Sequence, residues 1–446
     1  MLLTTSKQTE SYGFSPVGLF LMNKCNNTVV KVVLATVFLC AGLFSSCSKN
    51  KVTSNRIVIW TDNSEFAQYA EYFNSTHTDD KVVLVYKENP ALSLPPAKDE
   101  LPPDIVVGSW LRTDSTQKYF KALDYIFDTK KLTSSMFYPQ LIEAGKVKHT
   151  QYLLPVSFNL PAIIFANENK NLVPDSYTLT LDQIRHTASE YNSKNKKEAY
   201  TRIGFTPTSN SDFLYLVTKL KGANFRDEKG QITWNDFRLD ESTNYIRDWV
   251  NTENTSAQIE QDFAFKYLFM PYYRQVSIGR TLYAYTTSNE LFKVMKDQTL
   301  DIDYRWIAQD KLIPAEDNMT MMGIYKTARN QVGATEFMVW FCQSVTQQNI
   351  LERKYQLNLQ TEKFGIAGGF SAVRDVTEHI LPVYYTPLLS NLPPAQMIQV
   401  PQKLPARWTG YQSQVVEQYV KAAVTEDTNS LKIEDFEKEY RKKFYD

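Results

Sequence analysis

Apolar and polar positions in this chain follow two periods, and the alternation between them predicts its elements. Arg56–Trp60 (RIVIW) is a β-rich apolar run that the polar turn Thr61-Asp62-Asn63-Ser64 cuts off. Glu65–Asn74 then sets Phe66, Tyr69, Ala70 and Phe73 at helical spacing. Lys81–Tyr86 (KVVLVY) reads as a second strand. A Pro-rich link (Leu94-Pro95-Pro96, Leu101-Pro102-Pro103) leads to a third, Asp104–Val107, which runs into Gly108-Ser109-Trp110. Strands alternating with helices predict βαβ units on a mostly parallel sheet, whose ligands meet the loops at strand C-terminal ends. Thr61–Glu65 and Gly108–Arg112 occupy such ends.

Farther along, Gln151–Asn167 (QYLLPVSFNLPAIIFAN) is a pair of apolar runs parted by Ser157-Phe158-Asn159. A chain leaving one sheet for another through a short extended link has this form. Ser176–Asn192 predicts a helix with a Thr-x-x-Gln start at Thr180, and another helix surrounds Asp212–Leu220 after the turn Thr206–Asn210. Thr281–Thr287 reads as a strand ending in a polar turn, Thr286–Asn289, and Val400–Arg441 is helical. There is no internal repeat.

The N-terminal part has a different character. Val32–Cys47 (VVLATVFLCAGLFSSC) is an apolar run of about a dozen residues, too short to span a ~30 Å hydrocarbon core, which takes about 20. With Lys24 and Lys31 before it and a polar SKNK segment after it, it has the layout of a secretory h-region with a cleavage site. Leu43-Phe44-Ser45-Ser46-Cys47 resembles a bacterial lipobox. Phe44 departs from the commoner pattern, and looser lipoboxes of the spirochaete type accept it. That resemblance implies a signal peptide over 1–46, acylation of Cys47, a polar tether over 47–55 and anchoring to a membrane. Met22-Asn-Lys-Cys opens a more ordinary signal peptide than Met1 does, so initiation is expected at Met22.

Composition then bounds the remainder. About 400 residues follow the leader, enough for two domains. The full chain carries 49 basic and 49 acidic residues, and loss of Lys7, Lys24, Lys31 and Glu10 leaves 46 against 48. A net charge near −2 without a basic tract argues against nucleic acid as a partner. Past Cys47 only Cys342 remains, so no disulfide is expected, and its apolar helical setting reads as core. The 27 Tyr, 25 Phe and 7 Trp lean towards stacking on partly polar ligands such as sugar rings. Four scattered histidines (His77, His149, His186, His379) offer no metal pair. Neither G-x-S-x-G, H-E-x-x-H nor G-x-x-x-x-G-K-[ST] occurs, so no catalytic residue, metal or cofactor is assigned.

The order of elements resembles the family 1 extracellular solute-binding proteins of ABC importers, which include the maltodextrin-binding proteins. The resemblance lies in the IVIW–turn–helix opening, Pro103-Asp104-Ile105-Val106-Val107, Leu123-Asp124 and Tyr152-Leu153-Leu154-Pro155…Ile164-Phe165-Ala166-Asn167. It continues in Glu336–Ile350 and Val400-Pro401-Gln402 with the helices that follow, and spans residue 56 to the end. It departs from the family at Phe165-Ala166-Asn167, in place of Tyr-Asn. The resemblance implies an α/β, two-lobed periplasmic-binding-protein-like fold with hinge-linked lobes and mostly parallel sheets. The lobes would comprise 56–157 with 303–353, and 158–302 with 354–446. It further implies an exported, monomeric, non-enzymatic receptor in the periplasm or at the cell surface. That receptor closes on a small polar solute such as a sugar and presents it to membrane permease subunits.

By the same resemblance, first-lobe contacts come from Asp62, Asn63, Ser64 and Glu65, then Ser109, Trp110 and Arg112. Asn159 stands at the crossover. Thr208, Ser209 and Asn210 face these from the second lobe, with Thr287, Ser288 and Asn289. Arg407 and Trp408 fall at an aromatic stacking position, and Gly368-Gly369-Phe370-Ser371 form a further flexible turn. Asp62, Asn63 and Ser64 equally suit capping of the helix near Glu65. Trp60, Trp234 and Trp306 read as packing. Arg112, Arg374 and Arg407 suit either ion pairs or an anionic solute such as a glycerophosphodiester. Sensing or adhesion by a surface lipoprotein of the same fold is a third reading.

Overall fold

The structure is a computed structural model and describes residues 55–128, 131–297, 300–357, 363–426 and 431–444. The leader over 1–46, Met22, Cys47 and the tether up to residue 54 lie outside the described residues. The chain begins with β1 (Asn55–Thr61), α1 (Phe66–Thr76), β2 (Asp80–Tyr86), β3 (Ile105–Gly108) and β4 (Leu154–Phe158). It crosses over at Asn159-Leu160 into β5 (Pro161–Ala166), β6 (Thr178–Leu179), α2 (Leu181–Tyr191), α3 (Ser211–Lys221), α4 (Asp236–Glu253) and α5 (Ala257–Lys266). Next come β7 (Ala284–Thr287), α6 (Ser288–Asp297) and β8 (Ile302–Ile307). A return brings β9 (Thr320–Ile324), α7 (Gln331–Phe341), α8 (Ser344–Gln356) and β10 (Phe370–Ser371). Short turns of helix lead to α9 (Glu417–Thr425), preceded without a break by Trp408–Val416, and to α10 (Ile433–Phe444).

These strands make a two-lobed α/β fold, as the sequence led one to expect. The first sheet has the order β10-β4-β9-β3-β1-β2 and the second β7-β5-β8-β6. Parallel pairing holds β1 to β2 and β3 (Ile57↔Val82, Ile59↔Ile105) and β8 to β6 (Trp306↔Thr178). Strands that arrive through crossovers run antiparallel, as β9 does to β3 and β4, β10 to β4, and β5 to β7 and β8, so both sheets are mixed where mostly parallel ones were expected. The last five residues of β1 are buried, which is why it reads as an unbroken apolar run while the edge strand β2 alternates more. Asp104 accounts for the Pro-Asp pair before β3. Its carboxylate accepts the backbone N–H of Val58 and of Asn330, both at 2.8 Å, pinning β1 to the start of α7.

On α1, Phe66, Tyr69, Ala70 and Phe73 are buried at the expected spacing, and Phe66 stacks 5.5 Å from Phe341. Thr180 caps α2 in a reciprocal box with Gln183. Cys342 is buried among apolar side chains, which push its thiol well up from the ordinary range and leave it inert.

Two boundaries shift relative to the sequence. Residues 303–307, assigned there to the first lobe, belong to β8 in the second sheet, where Asp303–Trp306 pair with Phe165–Ala162 and Ile307 with Leu179. Phe370-Ser371, assigned to the second lobe, extends the first sheet against Phe158-Ser157. The core explains why both were hard to place. Ala162, Ile164, Tyr304 and Trp306 share one apolar cluster with the first sheet, whereas Ile163, Phe165 and Ile307 face the cluster built on α3, α4 and α9. The second sheet is therefore covered on both faces, and β5 at its centre (PAIIFA) carries no polar face to mark it.

Candidate functional site

The crossover forms the floor between the lobes. Asn159 donates from Nδ2 to the Gly368 carbonyl (2.9 Å), accepts the Ser288 hydroxyl at Oδ1 (2.6 Å) and offers its own carbonyl to the Glu316 N–H (2.9 Å). Ser288 also accepts the Leu160 N–H and donates its N–H to the Leu160 carbonyl, so α6 starts on the crossover strand. The loop carrying Gly368 is shaped by close approach. A Cβ on Gly369 would lie 2.6 Å from the Phe158 carbonyl oxygen, and Gly368 has φ +79°.

That loop is tied to the first lobe at several points. Asn63 Nδ2 donates to the Ala367 carbonyl (2.8 Å), and the Ala367 N–H donates to the Tyr69 hydroxyl (2.9 Å). Lys354, buried in an ion pair with Glu65, donates also to the carbonyls of Lys363 and Gly365. Burial raises the pKa of Asp62 above the usual carboxylate range, against the Ser109 N–H and the Lys363 charge.

Ser109 Oγ donates to the Asn318 carbonyl just before β9 (2.9 Å), while Arg112 reaches over to the second lobe, its Nη2 donating to the carbonyls of Pro401 (2.6 Å) and Gln402 (2.9 Å). Burial lowers the Arg112 pKa to about 10, with Asp317 opposing. Asn89 Nδ2 joins the Ala406 carbonyl (2.9 Å). Trp110 is half-buried against both apolar clusters and holds φ +64°, a backbone state costing a non-glycine residue roughly 1–2 kcal/mol. Beside these contacts lies a cavity of about 710 Å³. Leu92, Asp114 and Ser115 bound it from the first lobe, and Arg407, Tyr411 and Tyr440 from the second.

The turns Thr206–Asn210 and Thr287–Glu290 flank a smaller cavity of about 380 Å³ in the second lobe, lined by Ser209, Asn210, Asp212, Tyr285, Thr287 and Glu290 among others. Thr208 donates to Glu260 from its N–H (2.9 Å) and its hydroxyl (2.5 Å), and Asn254 donates to the other oxygen (2.5 Å). Burial pushes Glu260 up to about 7 despite these donors. Glu316 reaches about 7 as well: burial dominates, Lys219 opposes, and Asp317 and Asp212 add to it. Hydroxyls, amides, carboxyls and aromatic faces on two hinged lobes suit a ligand recognised through both its polar edge and its apolar face.

The profile of a family described as "Bacterial extracellular solute-binding protein" matches residues 59–347, more than half of the chain. This chain belongs to the bacterial extracellular solute-binding proteins. No curated protein matches it by sequence. Among solved structures, it is similar to the sugar-binding protein MalE from the phytopathogen Xanthomonas citri. The TM-score is 0.66 at 9% identity, over 87% of this chain and 96% of that one. It is also similar to the cyclic alpha-maltosyl-1,6-maltose binding protein from Arthrobacter globiformis (TM-score 0.56, 12% identity, 85% and 95% covered). An ABC substrate-binding protein from Listeria monocytogenes in complex with cycloalternan gives 0.57 at 14% identity, over 87% and 98%. At these identities the likeness is one of fold. Export follows from the family, and no helix among the described residues is long and apolar enough to cross a membrane.

In this solute-binding protein the residues proposed from sequence divide by how fully their polar groups are used. Ser209, Asn210 and Thr287 line the smaller cavity and Arg407 the larger. Asn289 adjoins Gly368 on the floor, its Oδ1 4.0 Å from where a Gly368 Cβ would sit. Asp62 and Trp110 flank the first-lobe loop, and Ser64 is exposed.

Other assignments need correction. Trp408 is wholly buried and stacks on Tyr411 at 5.6 Å, so it is a core residue with no face for a ligand. Glu65 is consumed by Lys354, Thr208 by Glu260, and both ends of the Asn63 and Asn159 amides by the backbone and Ser288. Ser109 and Arg112 are engaged with carbonyls. Sequence reasoning missed Tyr411, Tyr440 and Glu316. Tyr411 lay four residues from Arg407, one helical turn on, and that spacing was the available signal.

Proposed function

We propose that this protein is the lipid-anchored capture component of an ABC importer, and that its solute is a neutral sugar or oligosaccharide. The observation carrying this reading is the 710 Å³ cavity walled by both lobes, within the ~300–1,000 Å³ usual for small-molecule sites. A ligand there touches both walls only when they are close. It therefore binds the closed state better and drives the hinge. The structural neighbours bind maltose-type oligosaccharides and cycloalternan by their names, which supports a saccharide. Two of the three candidate arginines weigh against the phosphodiester reading, while Arg407 stays on the wall of the larger cavity. Arg112 is committed to two carbonyls, and Arg374 pairs with Glu378 at 2.8 Å. Acylated Cys47 would hold the receptor beside its permease through several acyl chains.

The test is isothermal titration of the mature protein with neutral gluco- and manno-oligosaccharides and with glycerophosphocholine. Saturable binding of an oligosaccharide is expected. Tight binding of the phosphodiester without a sugar response would overturn the solute assignment. Labelled palmitate should enter the wild-type chain and not Cys47→Ala, and equal labelling would remove the anchor.

A further inference from the structure

At the end of α5 the structure leaves large apolar side chains in water beside the smaller cavity. Phe265, Leu268 and Phe269 are 77%, 63% and 97% exposed. They are interleaved with Ala264, Tyr267 and Met270, which line the cavity along with Leu268 itself. Leu268 is thus both exposed and on the cavity wall, Phe265 and Phe269 adjoin its lining residues in sequence, and a contiguous apolar patch of this kind marks a contact surface. Inside, Thr281 is buried, yet its hydroxyl has no hydrogen-bond partner although the residue lines the cavity. A buried hydroxyl without a partner is costly unless something else satisfies it. The charges are one-sided. Asp212 and Glu290 line the cavity, and among the described residues that do so none is a lysine or arginine.

We infer that Ala264–Met270 is an aromatic lip that seats on the apolar face of a sugar ring entering this cavity. This makes the cavity a subsite for an uncharged or cationic ring. The inference rests on the saccharide reading above and sharpens it. Phe265 and Phe269 stack on the ring face, the Thr281 hydroxyl meets a ring hydroxyl, and Asp212 and Glu290 exclude an anionic group by repulsion. Stacking of this kind needs flat faces already held at the rim, so it suits a pyranose with axial hydrogens presented on one side. A phosphorylated ring is rejected here.

The experiment uses the mature protein and an array of neutral gluco- and manno-oligosaccharides, followed by titration of the strongest hit. The Phe265→Ser/Phe269→Ser double variant changes only exposed side chains, so its Tm should stay that of wild type. Its affinity for that oligosaccharide should fall about tenfold or more. Thr281→Val should keep or raise Tm and weaken binding several-fold. Addition of a phosphate to the terminal ring should abolish binding, whereas an amino sugar there should be tolerated. An unchanged affinity in the double variant overturns the lip while leaving saccharide capture intact. Failure of the wild-type protein to bind any member of the array overturns the saccharide reading, and the lip with it.

Discussion

Glu260 gives the sharpest quantitative test of the second-lobe wall, because it holds the turn Thr206–Asn210 from beneath. It is fully buried, accepts three hydrogen bonds and has no cation among them. Burial lifts its pKa from 4.5 to about 7. Between those values the folded chain keeps a proton that the unfolded chain has released, so stability falls as pH rises through that window and is level above it. At 1.36 kcal/mol per pH unit, wild type loses about 2–3 kcal/mol between pH 5 and pH 8 through this group. Glu260→Gln carries a neutral amide and lacks the effect. Its fixed penalty, an amide facing the Asn254 amide, is the same at both pH values and cancels in the comparison. Urea unfolding of both proteins at both pH values gives the difference of differences, and Glu316 cancels in it too. Wild type should lose about 2–3 kcal/mol relative to Glu260→Gln on going to pH 8. A double difference under about 0.5 kcal/mol would refute a buried, cation-free carboxylate at this position.

The two tryptophans should separate cleanly. Trp408→Ala removes a wholly buried ring and should cost about 3–5 kcal/mol in urea unfolding. Trp110→Ala should lower oligosaccharide affinity at least about tenfold with a smaller loss of stability, and the opposite ranking would reverse their assigned roles. Asn159→Asp replaces the donor to Gly368 with a second acceptor against a carbonyl, so unfolding should show a loss of about 1–3 kcal/mol; a neutral result would mean the crossover amide is not fixed as described. Gly369→Ala puts a methyl 2.6 Å from the Phe158 carbonyl oxygen and should displace the floor loop, seen as a lower Tm together with weaker binding. Unchanged thermal melting there would show that the loop yields freely.

The limits of the sequence follow from the range of the interactions. Elements fixed by neighbours within a few residues were legible: the buried run of β1, the apolar face of α1 and the capping box at Thr180. The positions of the polar candidates were legible as well, since they sit at strand ends. What they touch was not. The partner of Asn63 is 304 residues away, that of Arg112 is 289, and that of Asn159 is 209. No local pattern encodes such pairings. The lip escaped notice for the opposite reason, because Phe265, Leu268 and Phe269 carry a helical apolar spacing that normally means burial.

The committed side chains in turn constrain how recognition works. A hinged receptor must hold its crossover rigid while its lobes move, and here asparagines, serines and Arg112 perform that holding. An amide whose donor and acceptor are both satisfied within the protein gains little by turning to a ligand, because it would exchange one hydrogen bond for another. The free energy that favours closure must therefore come from groups not already engaged: the face of Trp110, the exposed phenylalanines at the end of α5 and the unpartnered hydroxyls of Thr281 and Tyr411. Most of these are aromatic faces, which gain chiefly when water leaves an apolar surface. Solute capture by this protein should accordingly show a negative heat-capacity change on titration. A heat-capacity change near zero would place recognition instead in polar groups that this structure shows to be occupied.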